Sequence, residues 1–213
     1  MCFNVEDVRN GLDAAFSGNS EVDLLSALKG NSFLFYPLYS RKYGIQPNFS
    51  EVSFGGGLRC DFCWLNDNSD GPEWVLVEIE KPKLKLFTAG KKPTAEFNSA
   101  IEQVRSWSRY FHLNPSEMRR IFGAVSKFRY ILVVGSKDNW EVNHAAQWRA
   151  HFNGQEKIEI RSSNIFYESL QLYIEHEEEF WSFKQNPTSL PSKNLGKYCD
   201  EYDYIKKWRA ILN

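Results

Sequence analysis

Hydrophobic positions recur along this chain at two periods, and the switch between them divides it into regions. Val5, Val8, Leu12, Ala15 and Phe16 follow helical spacing, and Ser20 with Asp23 reads as the cap of a second helix carrying Leu24, Leu25 and Leu28, closed by Gly30. The apolar stretch Phe33-Leu34-Phe35-Tyr36-Pro37 is interrupted by proline, which predicts a buried connector. The period then falls to two. Strands are predicted over 49–54, 58–65 and 74–80, joined by the turn Gly55-Gly56-Gly57 and by a second turn over 66–72. Pro82 ends the third strand, and Thr94 is placed to cap a long helix over 95–111, followed by a short one opened by Asn114-Pro115.

Beyond it, Phe128-Arg129-Tyr130-Ile131-Leu132-Val133-Val134-Gly135 has the composition of a strand buried on both faces. A helix over 140–152, a strand over 157–160 and a helix over 163–183 follow, the last with Leu170, Ile174 and Phe180 on its inner face. A polar linker over 185–197 leads to a final short helix around Tyr204, Ile205, Trp208 and Ile211. The order βββαβαβα predicts an α/β domain at 46–183, a mixed β-sheet flanked by helices. Short helical extensions are expected at 1–45 and 184–213.

Composition narrows the class. At 213 residues, 42% hydrophobic and 15% aromatic, the chain can fill one sizeable core and is not disordered. No run of about 18 apolar residues predicts a membrane helix, the first residues do not read as a secretory leader, and the four cysteines lack a framework spacing. The expectation is a soluble cytoplasmic protein that engages no membrane. A net charge of −1 excludes a surface that is basic throughout, yet residues 81–120 carry a local +6, with acid displaced towards the C-terminus. That segment reads either as a nucleic-acid contact or as an ordinary solvated face.

The chemistry is carried by carboxylates on strands. Alternation on the second strand sets Leu58, Cys60, Phe62 and Trp64 on one face, with Arg59, Asp61 and Cys63 on the other. On the third strand the same rule gives Trp74, Leu76, Glu78 and Glu80 one face and Val75, Val77 and Ile79 the other. Neighbouring buried carboxylates cost several kcal/mol in desolvation and repulsion unless a cation compensates. Asp61, Glu78 and Glu80 therefore form a candidate metal site, and hard oxygen ligands suit Mg²⁺, with Mn²⁺ as a substitute. Such a site fits phosphodiester hydrolysis. The competing reading places Glu78 and Glu80 on the solvent face of an edge strand, paired with surface lysines.

The segments Arg59-Cys60-Asp61-Phe62, Val75-Leu76-Val77-Glu78-Ile79-Glu80-Lys81-Pro82 and Ala100-Ile101-Glu102-Gln103-Val104-Arg105-Ser106-Trp107 follow the motif order of PD-(D/E)xK nucleases. More narrowly the chain resembles the Shedu anti-phage nuclease domain, through those segments and through Tyr130-Ile131-Leu132-Val133-Val134-Gly135-Ser136 and Ile165-Phe166-Tyr167-Glu168-Ser169-Leu170. The resemblance implies a restriction-endonuclease-like fold, a Mg²⁺-dependent endonuclease acting on DNA in defence against foreign DNA, and a homo-oligomer. It also implies a catalytic part for Gln103, whose motif lies by the active site in related nucleases. A long N-terminal regulatory domain of the kind many such proteins carry is missing, so regulation is expected from a partner protein or from the oligomer.

The family's Glu-x-Lys would put lysine where Glu80 stands. Either Lys81 returns to the site through a bulge beside Pro82, or Glu80 replaces it. The displaced lysine also sustains an alternative function, a catalytically inactive module that binds DNA or a partner protein. Trp107, at i+4 from Gln103, reads equally as core. Lys83, Lys85, Arg105 and Arg109 are the candidate phosphate contacts, with solvated surface as the alternative. Cys60-x-x-Cys63 has no second pair, and strand alternation would turn its thiols to opposite sides, which argues against zinc.

Overall fold

The computed structural model describes residues 3–41 and 44–212. Its centre is a six-stranded mixed sheet of β1 (Phe49–Gly55), β2 (Leu58–Asn68), β3 (Gly71–Ile79), β4 (Lys127–Val133), β5 (Ile158–Arg161) and β6 (Leu190–Pro191), in the order β5-β4-β3-β2-β1-β6. The β1–β2 and β2–β3 pairs are antiparallel, whereas β3–β4, β4–β5 and β1–β6 are parallel. The expected α/β mixed sheet flanked by helices is present.

Each face of the sheet has its own core. On one side Trp74 and Leu76 of β3 and Tyr130 and Leu132 of β4 pack under α3 (Ala95–Leu113), through Phe97, Ile101, Val104 and Trp107, and under α4 (Pro115–Phe122). On the other, Val75, Val77, Ile79, Ile131 and Val133 meet α1 (Val5–Ser17), α2 (Glu21–Gly30) and the buried 3₁₀ turn Ser32–Leu38. Burial on both faces explains the unbroken apolar runs of β3 and β4. The caps read from the sequence are made: Ser20 Oγ accepts from Asp23 N–H at 3.2 Å and Thr94 Oγ1 from Phe97 N–H at 3.2 Å. The β2–β3 turn requires Gly71, with φ of 109°, because a Cβ there would lie 1.9 Å from Ser126 Oγ.

Several elements depart from the sequence reading. The helix expected over 140–152 is two, α5 (Lys137–Trp140) and α6 (Asn143–Gln155). The helix expected over 163–183 is α7 (Ile165–Glu175) followed by a 3₁₀ segment, Glu177–Lys184. The buried face of α7 is Ile165, Phe166, Ser169, Leu170 and Tyr173, which leaves Ile174 42% exposed, and Phe180 is buried from the 3₁₀ segment. The supposed linker holds β6, which adds a strand to the sheet edge, and the start of α8 (Asn194–Glu201). Its Leu195 and Cys199, with Ile205 of α9 (Asp203–Leu212), enter the same core as α3. No described helix is long and apolar enough to cross a membrane.

Candidate active site

β3 is regular, and Glu78 takes the face expected of it, the one shared by Trp74 and Leu76. β2 is not regular. Cys60 and Cys63 both enter the core beneath α3 although strand alternation would separate them, while Phe62 and Trp64 enter the opposite core. The expected grouping of Cys60 with Phe62 and Trp64 is therefore wrong. The break in alternation is shared with β1, where Glu51 adopts φ of 55° directly across from Asp61 and the Glu51–Asp61 rung is missing between Ser50↔Phe62 and Val52↔Cys60. The two thiols consequently share a side, against the strand-alternation argument. Among the described residues no group of three His, Cys, Asp or Glu side chains accompanies them as a ligand set.

The same irregularity shapes the carboxylate cluster. The β2–β3 ladder ends at Phe62↔Val77, and one residue further the Asp61 carboxylate replaces the backbone partner, Oδ2 accepting from Ile79 N–H at 2.9 Å. Glu78, on the same rung as Asp61, is 6% exposed. Its Oε1 accepts from the Gln103 amide of α3, and its Oε2 is buried with no hydrogen-bond partner. Glu80 lies just beyond the strand, its N–H donating to Val133 O at 2.9 Å.

Burial and mutual repulsion raise all three acids. Burial pushes Asp61 up to about 6, with Ile79 N–H pulling it back. Burial, then Asp61 and Glu80, holds Glu78 well above the usual carboxylate range. Burial, then Glu21 and Asp61, pushes Glu80 up to about 7. Glu21 opens α2 and is an acidic neighbour that the sequence reading missed. Its position directly after the Ser20 cap gives no hint of it, because only the packing of α2 on the sheet brings that helix end to the ends of β2 and β3.

Lys81 turns away. Its Nζ pairs with Glu96 at 3.1 Å and is solvent-exposed, and the β3–β4 register runs without a shift to Ile79↔Val133, so no bulge returns the lysine. Beyond it the chain makes a turn, Leu84 N–H donating to Lys81 O at 3.1 Å, with Pro82, Leu84 and Leu86 buried and Lys81, Lys83 and Lys85 exposed. A cleft of about 570 Å³ opens at the cluster, lined by Ser53, Arg59, Glu78, Gln103 and Ser106. Of the three carboxylates only Glu78 lines it. Trp107 is fully buried against Phe54, so the residue at i+4 from Gln103 is core.

Arg105 and Arg109 are not brought to this cleft. At about 100° per residue they stand roughly 200° and 240° around α3 from Gln103. Both pair with Glu102, and Arg105 also with Glu156 at 2.8 Å, beside a separate groove.

Among the described residues no three His, Cys, Asp or Glu side chains converge as one coordination sphere. Asp61 and Glu78 are each held by a donor of their own. The donor set nevertheless fits a hard divalent cation: it is all oxygen, and the buried, unpartnered Glu78 Oε2 is a group that costs free energy until something charged or hydrogen-bonding meets it. No curated protein matches the chain. The family model of the C-terminal region of the Shedu protein SduA matches residues 18–170, more than two thirds of the sequence and a span that takes in α2 and its Glu21 as well as β1 to β5. The chain belongs to that family, the C-terminal domains of Shedu SduA proteins.

Proposed function

We propose that the chain is a Mg²⁺-dependent DNA endonuclease of the PD-(D/E)xK type, with Asp61, Glu78 and Glu80 as the metal-binding carboxylates and Mn²⁺ as a substitute. The observation that carries this reading is the unpartnered Oε2 of Glu78, buried among acids that repel one another at the end of an apolar strand. Family membership supports a role in defence against phage, and a homo-oligomeric assembly and a regulatory partner are part of the proposal. A bound divalent ion would lower the pKa of a water and stabilise negative charge on the scissile phosphate.

The chain's own residues supply the rest. Gln103 fixes one oxygen of Glu78 and leaves the other free to ligate. Ile79 N–H holds the Asp61 carboxylate in one orientation. Glu80 occupies the third motif position, because Lys81 is engaged by Glu96. The exposed Lys83 and Lys85 follow Glu80 closely in the chain and offer cations to a phosphate backbone near the carboxylates.

Two outcomes follow. Lys81→Ala should leave cleavage within about fivefold of the parent, since the exposed lysine is engaged by Glu96 rather than by the carboxylates, whereas Glu80→Gln should remove most of the activity. A large drop in Lys81→Ala would return the lysine to the site. The double variant Lys83→Glu/Lys85→Glu should bind duplex DNA more weakly and reduce the slope of log affinity against log salt by about 2, near 0.9 for each phosphate that a lysine no longer neutralises. Fluorescence anisotropy across a salt series reads both quantities, and an unchanged slope would remove the two lysines from the interface.

The reading as a whole is tested by incubating the protein with plasmid and with linear DNA in Mg²⁺, Mn²⁺ or EDTA. Binding with no cleavage under any metal would favour the inactive module instead.

A further inference from the structure

Away from the carboxylates, α5, α6, the C-terminal end of β5 and the start of α7 frame a cavity of about 410 Å³. Its polar wall includes Lys137, Arg149, Arg161 and Ser162, with Glu141 beside Lys137. Arg149 is held in place from two directions. The Trp140 indole donates to Val134 O at 2.7 Å, which fixes the ring, and the Arg149 guanidinium lies 4.9 Å over that ring. One turn along α6, Asn153 exchanges two hydrogen bonds with Ile160 of the edge strand β5, locking the helix to the sheet.

Among the described residues Arg149 has no carboxylate within ion-pair distance, whereas Arg161 is tied to Glu159 and Lys137 to Glu141 at 3.5 Å. Burial and the neighbouring Arg161 charge both make the cationic form of Arg149 less comfortable. A preorganised guanidinium without a counter-ion, beside a second guanidinium and a hydroxyl at the end of a parallel strand, is the arrangement that takes a phosphate bidentately. Glu168 also lines the cavity and opposes an anion.

We infer that this cavity is a phosphate-binding site centred on Arg149, taking either a phosphate of a nucleic-acid strand or that of a free nucleotide. It uses none of Asp61, Glu78, Glu80 or Gln103, so it stands or falls apart from the nuclease reading.

The test uses the full chain in EDTA with three probes: inorganic phosphate and deoxyadenosine monophosphate by calorimetry, and a 5′-phosphorylated single-stranded oligonucleotide by anisotropy. Arg149→Gln should weaken phosphate-bearing probes by about tenfold or more, and Glu168→Gln should tighten them severalfold, an opposite effect that a purely structural role would not produce. Arg161→Gln gives a second weakening should Arg149→Gln fold poorly. If the oligonucleotide also drops about 0.7 of its salt slope in Arg149→Gln, the source is a nucleic-acid strand. If only the small probes respond, the source is a free nucleotide. Absence of binding by the unaltered protein, or affinities within twofold across all variants for all three probes, would overturn the inference.

Discussion

Glu78→Gln is expected to lower DNA cleavage by more than about a hundredfold while leaving the melting temperature unchanged or higher. The size follows from the role: even groups that only orient metal ligands are worth about 10–100-fold, and a carboxylate that ligates directly should exceed them. The sign on stability follows from the electrostatics. Burial and two acidic neighbours disfavour the charged form of Glu78, so the uncharged amide removes a cost that the folded protein carries. The amide oxygen can still accept from Gln103, and the second polar atom is unpartnered in the parent already. Asp61→Asn should behave alike, because its oxygen can continue to accept from Ile79 N–H. Functional sites commonly trade stability for activity in this direction. If both variants melted several degrees lower and bound Mg²⁺ as the parent does, the carboxylates would be structural.

The second large effect is a dependence of metal-free stability on pH that runs opposite to the usual behaviour of paired carboxylates. In the folded protein Asp61 titrates near 6 and Glu80 near 7, against ordinary values of 3.8 and 4.5. Between those limits the folded state holds protons that the unfolded chain has released. The contribution is therefore fully present below about pH 4 and fades as pH rises through 6 and then 7. For Asp61 alone the decrease is on the order of 3 kcal/mol at about 1.4 kcal/mol per pH unit. Glu80 is more exposed and adds less, while Glu78 adds in the same direction.

Thermal melts in EDTA should thus show this component of stability falling from pH 5 to pH 8. Mg²⁺ should restore it at pH 8 by binding the ionised, folded form. Glu78→Gln should flatten the profile. A melting temperature that climbed across the window, or was indifferent to both pH and Mg²⁺, would mean that neither burial nor acidic neighbours raise these acids in the fold.

The regular parts of the site could be read from the sequence because their physics is local. Strand alternation alone puts Glu78 with Trp74 and Leu76, and the strand is regular enough for the rule to hold. The helical spacing of α3 was equally readable, and the fold brings Gln103 to Glu78. Alternation failed on β2 at Asp61, where the rung to Glu51 is missing and Glu51 takes φ of 55°, and nothing in the β2 sequence marks that break. Ile174 lies beside rather than on the buried face of α7, which runs through Ser169, Leu170 and Tyr173, and the break after Glu175 is marked by no proline or glycine. The segment around Leu190 looked like a linker since two residues of strand carry no periodicity, although pairing with Phe49 and Ser50 adds them to the sheet edge. Glu21 and Arg149 could not have been found at all from local pattern. Each gains its meaning from long-range packing, α2 against the ends of β2 and β3 for one and Trp140 beneath its guanidinium for the other.

The central claim is that the cluster of Asp61, Glu78 and Glu80 performs metal-dependent phosphodiester hydrolysis. Its most direct test follows the conversion of supercoiled plasmid by the unaltered protein and by Glu78→Gln, each in Mg²⁺ and in EDTA. The expected result is nicked or linear product only from the unaltered protein in Mg²⁺. Product of equal yield from Glu78→Gln, or from either protein in EDTA, would contradict the claim.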